Sequence, residues 1–343
     1  MSARRTVVPP CRVAVLVNPH PYLSLSPTWY LSETTFLKLG LSYRHQVADS
    51  SAFSYSVDNK RVFIRSAFLE AHTEVGELFL TGALRVDDHK EFGSHGTYKV
   101  SVAYKVERTG TTLKAQYGTG FKAPTLSQLY GYYKSSWGTT VGNPHLEPEE
   151  SEGWSLGLSQ NLLGSRCRVE ARYFKNHLWN IVDTYYDASR NVTTYRNEDK
   201  AITEGTELGL TFKVTDELSL FGNYTHLRAV SYDSTTGRWE ELERRPKETF
   251  NLGLNLNLEK LSLSFWAHHY GSRKDTDWSD FRNPRKVTLR SFTTFNCYAS
   301  YRLNERVDLY LKGINLTDKD YELAYGYNTM GRALFAGLEV SFK

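Results

Sequence analysis

The sequence predicts an all-β protein, a transmembrane antiparallel up-and-down β-barrel. Two observations predict this fold class. Segments of alternating apolar and polar residues recur from about residue 35 to the C-terminus, and the connections between them alternate between short turns and long polar loops. Strands of a membrane barrel alternate in this way because one face contacts lipid and the other a polar lumen. They also meet in tight turns on one side of the membrane and in long loops on the other.

Successive side chains on a strand point to opposite faces, so the alternation can be checked residue by residue. The segment at 251–259, for example, carries leucine at every second position, with Asn and Gly between. About fourteen segments follow this pattern, and together they would cross a bilayer as tilted strands. They lie at 37–43, 61–72, 78–86, 98–107, 113–117, 154–158, 169–173, 207–214, 218–224, 251–259, 261–267, 295–301, 307–311 and 334–342.

The connections favour a barrel over a soluble sandwich, which needs Greek-key crossings and turns of mixed length. Short turns are predicted at 73–76, 108–111, 164–166, 215–217, 259–260 and 304–306. Between them lie long stretches at 46–60, 87–97, 121–150, 229–247, 271–289 and 315–332, with an extended hairpin near 185–197. The long stretches are expected to lie together on one side of the membrane.

Composition excludes several other classes. With a mean hydropathy of −0.49 and no apolar run of eighteen residues, the 343-residue chain has no candidate transmembrane helix. A net charge of +4 with scattered Lys and Arg predicts no nucleic-acid partner. The three cysteines are far apart, and His268 and His269 point to opposite faces of a strand, so no metal site or cofactor is predicted. No catalytic set emerges, and the chain is not expected to be an enzyme.

The C-terminal region, LYLKGINLTDKDYELAYGYNTMGRALFAGLEVSF, resembles the closing sequence of TonB-dependent outer-membrane receptors. In that family a strand ends in an Asn-Leu-x-Asp-Lys-x-Tyr-Glu run, Gly-Tyr and Gly-Arg pairs follow, and the final strand ends on Phe. The matching residues here are Asn315, Leu316, Asp318, Lys319, Tyr321, Glu322, Gly326, Tyr327, Gly331, Arg332 and Phe342.

Three interior stretches also resemble segments of this family. They are YGTGFKAPTL at 117–126, GNPHLEPE at 142–149 and RRPK at 244–247. The resemblance covers roughly residues 76 to 342 and is closest to the branch that takes up cobalamin and related siderophores.

The resemblance implies a plugged barrel of twenty-two strands. The chain supplies about fourteen of these strands, at 34–343, and we find no counterpart of the plug domain. Residues 1–33 form an atypical segment that resembles neither a plug nor a secretory signal, because prolines and Arg12 interrupt its apolar stretch. We interpret the chain as the C-terminal part of a receptor. Its start would be explained by a truncation, by a frameshift or by a misplaced initiation codon.

The implied function is uptake of a metal chelate, such as cobalamin or a ferric siderophore, across the bacterial outer membrane. Implied partners are outer-membrane lipid, the chelate, and the barrel-assembly machinery that reads the terminal aromatic Phe342. TonB would be a partner only if another segment supplies the plug, so the chain alone is not expected to perform energised uptake. A passive pore formed by a smaller, independently closed barrel remains open as the alternative.

Candidate site residues follow from the longest loop and from the C-terminal motif. Aromatic rings cover a bulky ligand at low entropic cost, so the expected ligand contacts are Tyr130, Tyr132, Tyr133, Lys134 and Trp137. These residues would equally suit the barrel rim or an interfacial girdle. Structural roles are expected for the C-terminal motif: Asn315 and Asp318 end a strand, Gly326 and Gly331 permit positive φ, and Arg332 pairs with Asp318 or Glu322 or contacts ligand.

One further acidic group lies in a predicted outer loop. Asp87, Asp88 and Glu91 could bind calcium through oxygen ligands or simply belong to a solvated loop.

Overall fold

A computed structural model describes residues 11–18, 22–52, 55–135, 138–234, 236–280 and 284–342. These residues form a 19-stranded sheet, a separate two-stranded hairpin and one short helix, α1 (Leu126–Tyr130). The first nine strands are β1 (Cys11–Asn18), β2 (Tyr22–Tyr30), β3 (Thr35–Ala52), β4 (Tyr55–Val75), β5 (Leu78–His89), β6 (Gly93–Val106), β7 (Thr111–Lys122), β8 (Tyr132–Ser135) and β9 (Gly138–Val141). The remainder are β10 (Glu149–Leu162), β11 (Cys167–Asp187), β12 (Val192–Lys213), β13 (Leu218–Asp233), β14 (Arg238–Glu241), β15 (Glu248–Asn257), β16 (Leu261–Tyr270), β17 (Arg273–Asp277), β18 (Arg285–Leu289), β19 (Phe292–Asn304), β20 (Val307–Ile314) and β21 (Ala333–Val340).

Sixteen of these strands form the wall, in which each strand pairs antiparallel with the next. The wall runs β1 to β7 and then β10, β11, β12, β13, β15, β16, β19, β20 and β21. The short strands β8, β9, β14, β17 and β18 belong to the connections. This is the up-and-down topology that the sequence predicts.

All fourteen predicted strands are present, but the wall has two more, β1 and β2, within the segment at 1–33 that the sequence analysis set apart. Pro27 explains why β2 was missed. Proline cannot donate to a ladder, and the β2–β3 ladder is interrupted between the Leu25↔Leu41 and Thr28↔Lys38 pairs. Residues 11–18 and 22–30 of the set-apart segment therefore contribute to the wall.

The polarity of the wall is the reverse of that of a soluble protein. Large apolar side chains on the convex face are exposed, for example Leu41 at 61% and Leu156 at 55%. Serines on the other face, including Ser66 and Ser155, are buried. That concave face encloses a cavity of about 700 Å³ lined from β5 to β13, including Gln116. Apolar side chains therefore face lipid and polar ones face a lumen.

The edges of the wall are β1 and β21. Among the described residues, β1 pairs only with β2 and β21 only with β20, so no ladder joins the two edges. None of the described helices is long and apolar enough to cross a membrane.

Two predicted long loops are wrong. Within 46–60, β3 and β4 continue as a raised hairpin, with Ser51 opposite Ser56. Within 87–97 the connection is short, because β5 ends at His89 and β6 begins at Gly93. Polar residues fill both segments because strands that rise above the membrane are wet on both faces. The other long connections, at 123–148, 234–247, 271–291 and 315–332, lie at one end of the wall, called here the loop end.

Candidate functional site

The longest connection, residues 123–148, folds around helix α1. The helix starts at a capping box: Thr125 Oγ1 accepts a hydrogen bond from the Gln128 N–H at 3.2 Å, and Gln128 Oε1 accepts one from the Thr125 N–H at 2.9 Å. Leu126 and Leu129 of the helix are buried, and the helix packs against β4. Capping and burial fix this segment above the lumen.

Half of the buried apolar residues in the described chain lie around this connection, including two on the raised part of wall strand β4. They are Val57 and Val62 of β4, Leu126 and Leu129 of α1, and Leu146 of the loop. The loop end therefore has a small apolar core of its own.

The strands β8 and β9 form a hairpin, the bridge hairpin (residues 132–135 and 138–141), that joins two raised parts of the wall. Tyr133 pairs with Tyr55 of β4, and Thr140 pairs in parallel with Thr193 of β12. The main chain of the longest loop is thus part of the sheet, because β8 pairs with β4 and β9 pairs with β12. Its position is set by backbone hydrogen bonds as well as by the buried leucines.

The structure does not gather the predicted ligand contacts at one point. The Tyr130 ring lies under the Lys60 ammonium, 4.7 Å from the ring centroid, a contact that the sequence analysis missed. Tyr132 and Tyr133 are exposed and, as neighbours on β8, point to opposite faces. Lys134 is exposed as well. Trp137 lies outside the described residues. Ligand contact by these residues stays a prediction.

A cavity of about 850 Å³, the upper cavity, lies in the lumen beneath this loop. It is bounded by β2 to β5, by the end of β7 and by the start of α1. Its polar lining includes Arg44, Arg85, Asp87, His89 and Lys122, and Phe121 and Pro124 contribute apolar surface. Of the predicted ligand contacts, none lines this cavity.

The charges in the upper cavity are unequally compensated. Arg85 donates to both oxygens of Asp87, at 2.6 and 2.8 Å, and Ser66 Oγ donates to the same carboxylate at 2.6 Å. Lys122 pairs with Glu149 at 2.9 Å. Arg44, in contrast, faces the Tyr22 ring at 5.5 Å and has no carboxylate within salt-bridge distance in the described part of the chain. The cavity therefore presents one guanidinium without a direct ion pair, although Asp87 lies close enough for the two charges to attract each other.

A buried polar cluster around Asp275 ties the other outer connections together. Asp275, on β17, has no exposed surface and accepts hydrogen bonds from Arg244 Nε at 3.0 Å, the Tyr325 N–H at 2.8 Å and the Thr276 N–H at 2.9 Å. Burial opposes ionisation, but these hydrogen bonds outweigh it and hold the pKa of Asp275 below its ordinary value of 3.8. One carboxylate thus joins segments 242–247, 271–277 and 315–332.

Arg273 strengthens the same junction. It is buried, donates to the carbonyl oxygens of Gly271 and Glu322, and lies 5.5 Å from the Phe292 ring centroid. Alternating charges in a short polar segment are usually typical of a solvated strand. The sequence therefore held no signal that Arg273 and Asp275 would be buried.

The C-terminal motif begins where β20 ends. β20 stops at Ile314, and Asn315 and Asp318 both have positive φ, +49° and +52°. The fully buried Asn315 side chain accepts from the Lys319 N–H and donates to the Lys319 carbonyl, both at 2.9 Å. The Leu316 N–H donates to the Phe295 carbonyl at 2.8 Å. These bonds hold the start of the last loop against β19.

Two of the expected roles differ in the structure. Gly326 has positive φ, but Gly331 does not; a Cβ at Gly331 would lie 3.0 Å from Asp318 Oδ1, so a close approach explains this glycine. Arg332 approaches Asp318 through its backbone N–H, at 2.7 Å, rather than through its guanidinium.

Two of the remaining motif residues, Tyr321 and Glu322, make contacts, and two others, Tyr327 and Phe342, are exposed. Tyr321 stacks on Phe292 at 4.2 Å, and Glu322 accepts from the Gly326 N–H at 3.3 Å. Tyr327 is exposed. Phe342 is 93% exposed and lies beyond β21, which ends at Val340 rather than at the predicted 342.

The three acidic residues considered for calcium do not converge. Asp87 is engaged by Arg85 inside the lumen, whereas Asp88 accepts from Ser94 Oγ at 3.3 Å. Within the described residues no group of three His, Cys, Asp or Glu side chains could hold a metal ion.

A wall with an apolar convex face, a polar lumen and folded outer loops is typical of an outer-membrane β-barrel. Residues 19–316 match the family model described as TonB dependent receptor-like, beta-barrel, and the chain belongs to this family. The family consists of transport receptors of the bacterial outer membrane rather than enzymes.

Solved structures share the fold at low sequence identity. The chain is similar to the siderophore receptor PirA from Acinetobacter baumannii (20% identity, TM-score 0.73, covering 94% of this chain and 55% of that one). It is also similar to a mutant of the ferric enterobactin receptor PfeA from Pseudomonas aeruginosa in complex with enterobactin (23%, 0.76, 94% and 54%). A third similar structure is the FrpB iron transporter from Neisseria meningitidis (16%, 0.72, 94% and 55%). The chain thus spans about half the length of the solved receptors that it matches.

Proposed function

We propose that this chain forms part of the barrel of a receptor that takes up a metal chelate across the outer membrane, and that a ferric siderophore is favoured over cobalamin. The sequence motifs resemble the branch that handles both classes. The similar solved structures include a siderophore receptor, a ferric enterobactin receptor and an iron transporter, which supports the siderophore choice.

The upper cavity is the observation that carries the proposal. Its volume of about 850 Å³ lies within the range of roughly 300 to 1,000 Å³ typical of small-molecule sites. Its one guanidinium without a direct ion pair, on Arg44, favours an anionic ligand, because ion pairs gain strength where water is partly excluded. Ferric complexes of catecholate siderophores are anionic.

The proposed partners follow from the family. Outer-membrane lipid contacts the apolar convex face, and the assembly machinery reads Phe342 at the end of the chain. TonB acts on this receptor only where a plug completes the barrel, supplied by another segment.

Binding by the folded chain in detergent micelles tests the proposal, with ferric enterobactin and cyanocobalamin as probes and quenching of intrinsic fluorescence as the readout. Arg44→Ala should weaken ferric enterobactin binding about tenfold or more, because a hydrogen bond to a charged group contributes about 1.5–3 kcal/mol. Arg168→Ala is the matched control. Arg168 is an arginine of the same inner face near the short-turn end, where it pairs with Glu170 at 2.7 Å.

Two outcomes would contradict this proposal. One is that ferric enterobactin does not bind. The other is that Arg44→Ala and Arg168→Ala weaken binding equally, because the upper cavity would then have no special role. Stronger binding of cyanocobalamin than of ferric enterobactin would support a chelate receptor but favour cobalamin as its ligand.

The alternative of an independently closed passive pore is tested by conductance in planar bilayers. The described residues contain no ladder between β1 and β21, so closure by this chain alone has no support in the strand pairing. Stable channels formed by the purified chain would support the alternative function as a passive pore.

A further inference from the structure

A second recess opens into the lumen beneath the C-terminal loop. It has a volume of about 310 Å³ and lies on the inner face of β16, β19 and β20, apart from the upper cavity on β2 to β5. Five rings line this aromatic recess: Trp266, His268, Tyr270, Phe292 and Tyr321. None of them was among the residues that the sequence singled out for ligand contact.

Four of the rings form a continuous column. His268 and Tyr270 lie 4.4 Å apart between ring centroids, Tyr270 and Phe292 5.2 Å, and Phe292 and Tyr321 4.2 Å. Arg273, which is fixed by two backbone carbonyls, lies over Phe292. The C-terminal loop and the buried arginine therefore position Phe292 and Tyr321 at one end of the column.

His268 is the unusual member of the column. Its Nε2 is buried and has no hydrogen-bond partner, the one such side-chain atom in the described part of the chain. The adjacent His269 points to the opposite face, where its Nδ1 lies 2.8 Å from Thr293 Oγ1 and its ring stacks on Phe250 at 4.6 Å. Buried polar groups are normally hydrogen-bonded, so an unpartnered one needs an explanation. His269 has a hydrogen-bond partner that explains its position, whereas His268 Nε2 has none.

Polar groups beside the column define the chemistry that would fit. Thr294, Asn296 and Lys312 also line the recess. Asn296 Oδ1 already accepts from the Asn315 N–H at 3.0 Å, whereas no carboxylate among the described residues is within salt-bridge distance of Lys312. Flat rings stack against the column, and a hydroxyl or phenolate oxygen on such a ring would meet His268 and the Lys312 ammonium.

We propose that the aromatic recess binds an aryl ring carrying hydroxyl groups, such as one arm of a catecholate or phenolate iron chelate, with His268 Nε2 as its hydrogen-bond partner. This inference rests on the proposed function as a chelate receptor and narrows its ligand to aryl chelates rather than aliphatic hydroxamates. A recess of this volume holds a single ring, so the remainder of the chelate stays in the lumen.

Ligand-observed NMR of the folded chain in detergent tests the recess directly, with 2,3-dihydroxybenzoate and benzoate as probes. His268→Phe keeps a ring in the column and removes the unpartnered nitrogen. We expect this variant to bind 2,3-dihydroxybenzoate about tenfold more weakly and to bind benzoate unchanged, because benzoate lacks the hydroxyl groups. Its thermal stability should be equal or higher, because a buried polar atom without a partner has been removed. His177→Phe, at a half-exposed position on the convex face, is the control and should change neither result.

The outcomes separate this inference from the proposed function. Equal binding of 2,3-dihydroxybenzoate by the wild-type and His268→Phe proteins would overturn the recess. So would a clear loss of stability in His268→Phe, which would mark His268 as structural. Ferric enterobactin binding that depends on Arg44 but not on His268 would leave the receptor standing without the recess. Dihydroxybenzoate binding that depends on His268, without any ferric chelate binding, would support the aromatic recess and contradict the proposed function as a chelate receptor.

Discussion

The wall and the loop end are stabilised in opposite ways. The wall exposes its large apolar side chains on the convex face and is held by backbone ladders from strand to strand. The loop end buries leucines around α1 and charged groups around Asp275. The wall depends on lipid to cover its apolar surface, because water would otherwise contact it. The loop end carries small cores of the kind found in soluble proteins, which keep their shape above the membrane.

The largest difference in stability should come from the same type of substitution, Leu→Ala, made once at the loop end and once in the wall. Leu129→Ala removes a side chain that is 2% exposed, and we expect a local loss of about 2–5 kcal/mol because a cavity remains. Leu252→Ala on the convex face should cost much less, since lipid or detergent fills the space. Hydrogen exchange of residues 123–148, followed by mass spectrometry, measures the first effect, and thermal unfolding of the wall measures the second. Equal losses in the two variants would contradict the contrast.

A charge placed on the convex face should destabilise the wall and not the loop end. Leu156→Arg lies near the middle of β10, where an arginine facing lipid costs about 2–4 kcal/mol. Gln116→Arg is the matched control, because Gln116 lies on the lumen face directly across the ladder from Ser155. Denaturant unfolding in lipid vesicles should show a lower midpoint for Leu156→Arg alone. A lower midpoint for both variants would mean that these two faces are wrongly assigned.

The smallest of these effects concerns acid and the Asp275 cluster. Because the folded-state pKa of Asp275 is lowered, its contribution to stability is complete above its ordinary pKa of 3.8 and is lost as the pH falls through the lower folded-state value. We expect residues 315–332 to lose exchange protection in acid, after correction for intrinsic rates. The wall should stay protected.

Asp275→Asn serves as the variant for this acid effect. It should weaken the loop end by about 1–3 kcal/mol near neutral pH, because one amide cannot accept all three hydrogen bonds. It should also remove most of the acid dependence of exchange in residues 315–332. Acid dependence that persists in Asp275→Asn would assign the effect to other carboxylates, with Asp277 the next to examine.

Strand alternation predicted the wall well and the loop end poorly. Each wall strand repeats the same choice between lipid and lumen, so the pattern is strong wherever both environments are present. β1 and β2 escaped notice because Pro27 and Arg12 break that pattern. The C-terminal motif begins at Asn315, directly after the last residue of β20.

The burial of Asp275 and Arg273 could not be predicted, because it depends on residues of other connections. Arg244 and Tyr325 donate to Asp275, and Arg273 donates to the Glu322 carbonyl. The aromatic recess escaped for a similar reason. Its rings come from β16, β19 and the last loop, and on each strand they look like ordinary lumen or girdle residues.

The bridge hairpin has a consequence for the order in which the molecule assembles. Its strands pair with β4 on one side and β12 on the other, partners that are far away along the chain. Contacts between distant segments form slowly, because the chain between them must first be ordered. The hairpin can dock only after both raised hairpins are in place, so it is expected to be among the last parts of the fold to form. Protection of residues 132–141 from protease during refolding would therefore mark the completion of the wall between β4 and β12.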